Sequence, residues 1–303
     1  DCVSAGWSVE RQDRASLQYA AAQGTCASLT VRWAQSCEDA GILSNTEYRY
    51  RVRETCSNGD PSPWGESAAW VQTPPAQTEA PTDVSGVDPT TSSVEVQWGA
   101  PATLGDCSFR RWRVETREVG GAWSPGSGGC SALSLSSECR MSCVAEGLAS
   151  NTAHEFRVQV ECEDAVASSE FSAASGAAST LPVAAGSPHS VIVSNVSDTE
   201  VGVSWVAGSA NECVFSRWEV VYQEGGSDVL AEASGCVVTD RGVTNCTAVG
   251  LMCDTEHVFR VREVCSNAAA TSAWWASSTW TSRFMPVTER RIRRCWSLTN
   301  TRR

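Results

Sequence analysis

One spacing recurs three times along this chain and constrains its fold more than any other feature. A cysteine is followed five residues later by a tryptophan at three places, Cys2 with Trp7, Cys107 with Trp112 and Cys213 with Trp218. The period of 105 to 106 residues is that of a whole domain, whereas solenoid repeats are much shorter. The sequence therefore predicts a tandem array of similar domains.

The repeat divides the 303 residues into three domains, each large enough to bury its own core. Proline-containing linkers near residues 75 and 182 place the domains at 1–75, 76–182 and 183–286, with a basic tail at 287–303. The first repeat lacks the roughly 25 residues that precede the first cysteine of the others, so we expect it to lack its leading strands. Either the array is longer than this chain, or another chain supplies those strands.

Apolar residues alternate with polar ones in many short segments, for example at Val94, Val96 and Trp98. This period of two is typical of half-buried β-strands. Clusters of Gly and Ser separate the segments, as in hairpins. The sequence predicts an all-β fold of short antiparallel strands.

Composition limits the function. Fifteen cysteines at repeated spacings indicate an oxidising compartment, so we expect an extracellular protein, secreted or on the cell surface. A net charge of −12 disfavours nucleic acid. Three histidines and the absence of a CxxC pair argue against a metal site, and no apolar run is long enough for a membrane span. The sequence shows neither a catalytic triad nor a phosphate-binding loop, so we expect no enzyme and no cofactor.

The strands resemble the fibronectin type III family. Trp98 and Trp205 occupy the place of the core tryptophan of its second strand, and the third strand resembles Trp112-Arg113-Val114. The clearest match is the sixth strand, which corresponds to Tyr48-Arg49-Tyr50-Arg51-Val52, His154-Glu155-Phe156-Arg157-Val158 and His257-Val258-Phe259-Arg260-Val261. The resemblance covers about residues 1 to 286 and implies tandem fibronectin type III-like β-sandwiches, here disulfide-bonded.

The resemblance also implies a disulfide pairing, because the third strand of the family begins beside the end of the sixth. The implied pairs are Cys2 with Cys56, Cys107 with Cys162, Cys213 with Cys265, Cys26 with Cys37, Cys130 with Cys143 and Cys236 with Cys246. Three cysteines remain as unpaired or intermolecular, namely Cys139, Cys253 and Cys295. The corner tyrosine of the family is kept as Tyr48, and we expect His154 and His257 to replace it as neutral, structural residues.

Tryptophan and arginine form a candidate ladder similar to that of cytokine receptor ectodomains. The expected members are Arg51, Arg53, Trp64 and Trp70 in repeat one, and Arg260, Arg262, Trp274 and Trp280 in repeat three. Repeat two has Gln159, Phe171 and Ala177 at matching positions, so we expect its ladder to be degenerate. Stacking of guanidinium groups on indoles contributes about 0.5 to 2 kcal/mol per contact.

Two glycosylation sequons begin at Asn195 and Asn245, so covalently attached glycans are expected there. Together these features predict an extracellular, non-enzymatic structural or adhesive protein, the repeat subunit of a surface fibre or filament. Its partners would be other copies of itself or a neighbouring extracellular protein. The alternatives are a ligand-binding receptor or adhesion ectodomain, and the spacer domains of a larger carbohydrate-active enzyme.

Overall fold

A computed structural model of the protein describes residues 2–131, 133, 141–197, 199–225, 227–252, 255–278 and 280–281. The chain divides into two compact units, one formed by Asp1–Asp88, Val94–Gly147 and His154–Ala178, the other by Pro89–Ser93, Leu148–Ala153 and Ser179–Arg303. The three-domain division and its boundaries stay a prediction. Repeats one, two and three below denote the three sequence repeats.

Repeat one forms a single antiparallel sheet. Its strands are β1 (Ser4–Asp13), β2 (Tyr19–Ala21), β3 (Glu47–Cys56), β4 (Gly65–Glu66) and β5 (Val71–Gln72). They are ordered β2-β1-β3-β4, with β5 also pairing with β3. The two long strands β1 and β3 form its centre.

Repeat two forms two antiparallel sheets. Its strands are β6 (Thr82–Val87), β7 (Ser93–Gly99), β8 (Phe109–Glu118), β9 (Ser124–Pro125), β10 (Ser142–Glu146), β11 (Ala153–Cys162) and β12 (Ala178–Ser179). One sheet has the order β10-β7-β6 and the other β12-β11-β8-β9. Val94 and Val96 of the first sheet and Phe156 and Val158 of the second are all 0% exposed, as the alternating pattern predicts.

Repeat three has the same two-sheet arrangement. Its strands are β13 (His189–Asn195), β14 (Glu200–Val206), β15 (Phe215–Glu224), β16 (Leu230–Glu232), β17 (Asn245–Val249), β18 (Glu256–Cys265), β19 (Trp275–Ala276) and β20 (Trp280–Thr281). The sheet β13-β14-β17 packs against the sheet β16-β15-β18-β19, in which β20 also pairs with β18. The two sheets meet at Trp205 and Trp218, whose rings are 5.5 Å apart, edge to face.

Short 3-10 helices connect some of the strands, at Gly24–Ser28, Gly128–Cys130, Ala165–Ala167 and Ala268–Ala270. Cys26 and Cys130 are buried within the first two. The expected all-β, disulfide-bonded fold is confirmed.

Candidate functional site

The outer face of the repeat-one sheet carries a continuous ladder of arginines and aromatic rings. In order, its members are Arg53, Trp64, Arg51, Tyr19, Arg49, Trp70 and Arg14. The guanidinium carbon of Arg51 lies 3.8 Å from the ring centroid of Tyr19 and 4.4 Å from that of Trp64. We call these seven residues the repeat-one ladder.

Strand register explains why the ladder forms. Arg49, Arg51 and Arg53 alternate along β3, so their side chains share one face of the sheet. On the neighbouring strand, Glu10 stands opposite Arg51, whose Nε donates to Glu10 Oε2 at 2.8 Å. Arg51 is therefore stacked between two rings and paired with a carboxylate at the same time, which fixes its long side chain.

Repeat two also has a ladder, so the expectation that it is degenerate is wrong. The stack alternates as Arg113, Phe171, Arg157, Trp123 and Arg117. Arg157 lies 4.1 Å from the Phe171 centroid and 4.5 Å from that of Trp123. Trp123 is adjacent to β9 and stacks on Arg157 as Tyr19 stacks on Arg51 in repeat one, whereas Phe171 takes the place of Trp64.

In repeat three the structure places Arg262 over Trp274, with 4.2 Å from the guanidinium carbon to the ring centroid. Arg262 Nε also donates to Glu219 Oε2. Arg260 donates through Nη2 to Gln223 Oε1 at 3.0 Å. Trp280 lies in β20 with its backbone opposite His257. Of the contacts expected in the repeat-three ladder, the structure shows the one between Arg262 and Trp274.

The six disulfides of the structure join the same cysteines as the pairing implied by the resemblance. Cα–Cα distances are 5.3 Å for Cys2–Cys56, 5.4 Å for Cys107–Cys162, 5.3 Å for Cys213–Cys265, 5.0 Å for Cys26–Cys37, 5.1 Å for Cys130–Cys143 and 5.1 Å for Cys236–Cys246. Each bond stays within one repeat. Cys139, Cys253 and Cys295 lie outside the described residues.

The corner before the sixth strand is built differently in the three repeats. In repeat one the backbone N–H of Leu43 donates to the Tyr48 hydroxyl at 2.9 Å. His154 and His257 take the same place and are 3% and 0% exposed. Burial lowers the pKa of His257, against smaller opposing effects of the Thr255 backbone and the Glu224 charge, so this ring is neutral near pH 7.

The opposite face of the repeat-one sheet, called here the inner face, borders a cavity of about 650 Å³. Its apolar lining includes Trp7, Val9 and Val52. Its polar lining includes Asp39, which pairs with Arg11 at 2.7 Å, and Tyr50. Burial and the neighbouring Asp39 carboxylate raise the pKa of Tyr50 to about 12.

Comparisons with known proteins place part of this architecture in a family. Residues 186–277 match the model of the fibronectin type III domain. This segment is similar to a fibronectin type III domain. No curated protein matches the chain.

Solved structures that are similar to the chain include two multidomain segments. The crystal structure of the FN1–FN3 domains of chicken CNTN1 is 15% identical, covers 93% of this chain and 91% of its own, and has a TM-score of 0.31. A segment of two fibronectin type III domains from chicken tenascin is 18% identical, covers 67% of this chain and 99% of its own, and has a TM-score of 0.35.

Both expected sequons lie in the segment of repeat three that matches the fibronectin type III model. Asn195 is the last residue of β13 and Asn245 the first of β17, and both are exposed. These strands are the two edges of their sheet, so a glycan at either position would meet solvent rather than the core. Glycosylation itself stays a prediction.

Sequence reasoning missed three members of the repeat-one ladder, Arg14, Tyr19 and Arg49, and three of the repeat-two ladder, Arg113, Arg117 and Trp123. A signal was present, because Arg49 continues the alternation of Arg51 and Arg53 along β3.

Across the described residues, no group of three or more His, Cys, Asp and Glu side chains is placed to hold a metal ion. Within the same residues no helix is long and apolar enough to cross a membrane.

Proposed function

We propose that the chain is an extracellular, non-enzymatic structural or adhesive protein and the repeat subunit of a surface fibre. The observation that carries the proposal is that each repeat is closed by two disulfides of its own. Disulfides at this density persist in oxidising compartments. Among the described residues no disulfide joins two repeats, so the covalent cross-links of each repeat are its own.

The ladders support a mechanical rather than a catalytic role. Arg51 and Arg157 are each stacked on two rings and paired with a glutamate, Glu10 and Glu115 respectively. A cation that is engaged in this way stiffens its sheet and is poorly placed to bind a substrate anion. The fibronectin type III family mostly provides spacers and binding modules, which favours the same reading.

A second candidate, a ligand-binding receptor or adhesion ectodomain, is favoured by one observation. The inner face of repeat one leaves Val52 40% exposed in the middle of a sheet. Exposed apolar surface next to a cavity is typical of interaction sites.

Electron microscopy of the purified, oxidised chain tests the fibre proposal. We expect filaments that grow with protein concentration and that are lost in a Cys213→Ala/Cys265→Ala chain, because repeat three then loosens. Isolated particles at every concentration would contradict the fibre and leave the receptor reading. Glycosylation is tested separately by mass spectrometry of the chain from a eukaryotic secretory host. We expect Asn195 and Asn245 to carry glycan, and Asn195→Gln to remove one of the two.

A further inference from the structure

Two proline-containing linkers of this chain are held by the same pattern of hydrogen bonds. The first is residues 73–76, within the first compact unit, and the second is residues 180–183, within the second unit. Each begins with a threonine and has a proline at its third position, Pro75 or Pro182. The two linkers can therefore be compared position by position.

The start of the first linker is bonded to the corner that precedes β3 in repeat one. The backbone N–H of Thr73 donates to Thr46 O at 2.9 Å, and that of Asn45 donates to Pro74 O at 3.1 Å. The backbone N–H of Thr46 also donates to the Thr73 hydroxyl oxygen at 3.0 Å. The first two residues of the linker are thereby fixed to repeat one.

The end of the first linker is bonded to a carboxylate of repeat two. The backbone N–H of Ala76 donates to Asp106 Oδ2 at 2.7 Å, and the backbone N–H of Asp106 donates to Ala76 O at 3.0 Å. Asp106 directly precedes Cys107, whose disulfide with Cys162 cross-links this loop to the end of β11. Ala76 is therefore fixed to a loop that is itself covalently anchored in repeat two.

The same carboxylate also contacts repeat one. A hydrogen bond from the Ser44 side chain, and then the one from the Ala76 amide, hold the pKa of the Asp106 carboxyl below its ordinary value. Ser44 belongs to the corner before β3, where its carbonyl oxygen accepts from the Thr46 hydroxyl at 2.7 Å. Hydrogen bonds to a charged acceptor are stronger than those between neutral groups. Asp106 thus joins the linker and the corner of repeat one to the loop of repeat two.

Pro75 is the linker residue between the two tied ends. Its ring holds φ near about −65°, and it has no backbone N–H that would need a partner. Pro74 before it is bonded to Asn45, and Ala76 after it is bonded to Asp106. The residue that these bonds leave out is therefore the one whose own ring restricts rotation about the N–Cα bond.

The second compact unit contains the same arrangement with a glutamate. Glu212, which directly precedes Cys213, accepts from the Val183 N–H at 2.5 Å and from the Ser150 hydroxyl at 2.7 Å. Its backbone N–H donates to Val183 O at 3.2 Å. The residue before Val183 is again a proline, Pro182. Recurrence with a different carboxylate indicates a built feature rather than an incidental contact.

We propose that Asp106 is the positioning residue of a rigid joint that holds repeats one and two in one fixed orientation. Its carboxylate ties the linker and the corner of repeat one together, and the disulfide of Cys107 ties that carboxylate to repeat two. Pro75 restricts the one linker residue between the ties. Relative motion is the default for neighbouring domains without a large apolar interface, so a fixed orientation requires such a device.

Residual dipolar couplings of the backbone N–H groups in the full oxidised chain test the joint. In the parent chain, one alignment tensor should fit the strands of repeats one and two together. In Asp106→Ala the two repeats should require different tensors, while the couplings within each repeat still fit its own fold. The Ala76 amide should also exchange with solvent at least about tenfold faster, because its charged acceptor is lost.

Three further variants show whether the carboxylate itself is responsible. Ser44→Ala removes the bond from the side of repeat one and should also separate the two tensors, with repeat two unaltered. Asp106→Glu copies Glu212 of the second linker and should keep a single tensor. The matched control is Glu79→Ala, which removes an exposed carboxylate three residues after Ala76 and should behave as the parent chain does.

Any of three results would overturn the proposal. The first is a parent chain in which repeats one and two already require different tensors. The second is a single tensor in Asp106→Ala, since the repeats would then be held together without this carboxylate. The third is a separation of the tensors in Glu79→Ala as large as in Asp106→Ala, because any loss of charge near the linker would then have the same effect.

Discussion

The sheets of repeats one and three share a register, a disulfide at one end and an arginine stacked on tryptophan, yet they differ in burial. The outer face of repeat one is the more elaborate, with seven ladder members. Its inner face is the less buried, with Val52 at 40% exposure against 0% for Val261. The comparison teaches that the two faces of such a sheet are stabilised independently. Strand neighbours within the sheet build the outer face, whereas a second sheet is needed to close the inner one.

Truncation of the matched tryptophans is the test of this comparison with the largest expected effect. Trp218→Ala should lower the local free energy of unfolding of repeat three by about 4 kcal/mol, because it leaves a cavity beneath Trp205. Trp7→Ala should cost about half as much, since Trp7 is half-buried. Hydrogen exchange of the β18 and β3 amides measures the two effects separately. Equal costs would mean that the inner faces are equally closed.

Removing the disulfides of repeat three is expected to give the next largest difference between two matched variants. The bond Cys213–Cys265 spans 52 residues and Cys236–Cys246 spans 10. Loop-closure entropy gives about 4 kcal/mol for the longer bond and about 3 kcal/mol for the shorter. Paired Cys→Ala variants, followed by hydrogen exchange in repeat three, check the order. Peptide mapping without reduction that joined Cys107 to Cys130 would refute the pairing altogether.

The ladders predict a smaller difference. Arg51→Ala removes stacking on two rings and should cost about 1 to 2 kcal/mol, whereas Arg262→Ala removes one contact and should cost about 1 kcal/mol. The control is Arg110→Ala, at an exposed arginine of β8, with no expected change. Thermal unfolding monitored by near-ultraviolet circular dichroism provides the readout. If Arg51→Ala destabilised the protein no more than Arg110→Ala, the ladder would not contribute to the stability of repeat one.

The smallest expected effect is a pH dependence of the stability of repeat three. Burial lowers the pKa of His257 below its ordinary 6.5, so at acid pH the unfolded chain binds a proton that the folded chain resists. Stability is therefore full above about pH 6.5 and falls as the pH drops toward the lowered value. His257→Tyr, which copies Tyr48 of repeat one, should abolish this dependence. An unchanged pH profile in that variant would show that other groups cause it.

Much of this structure was predictable because it depends on short-range patterns. Alternation along strands located the buried Val94, Val96 and Trp98, and the recurring cysteine spacing, read through the family resemblance, gave the six disulfides of the structure. The ladder of repeat two was not predictable in the same way. Trp123 reaches Arg157 from the loop beside β9, and only the fold shows that this loop lies on the same face.

The inner face of repeat one was harder still to read. The sequence suggests absent leading strands, but it does not show that Asp39 turns inward to Arg11 and Tyr50. Residues 36–40 include Cys37, the equivalent of Cys246 in β17, yet they form no strand, and none of the described strands lies beside them. Secondary structure at this position therefore depends on a neighbouring strand and not on local propensity alone.

Side-chain footprinting of the native chain by hydroxyl radicals and mass spectrometry tests the central claim most directly. The claim is that repeat one is an open form of the sheet that repeat three closes. We expect faster labelling of Trp7 and Tyr50, which are half-buried, than of their counterparts Trp218 and Phe259, which are 1% and 0% exposed. Equal protection of Trp7 and Trp218 in the isolated chain would contradict the account.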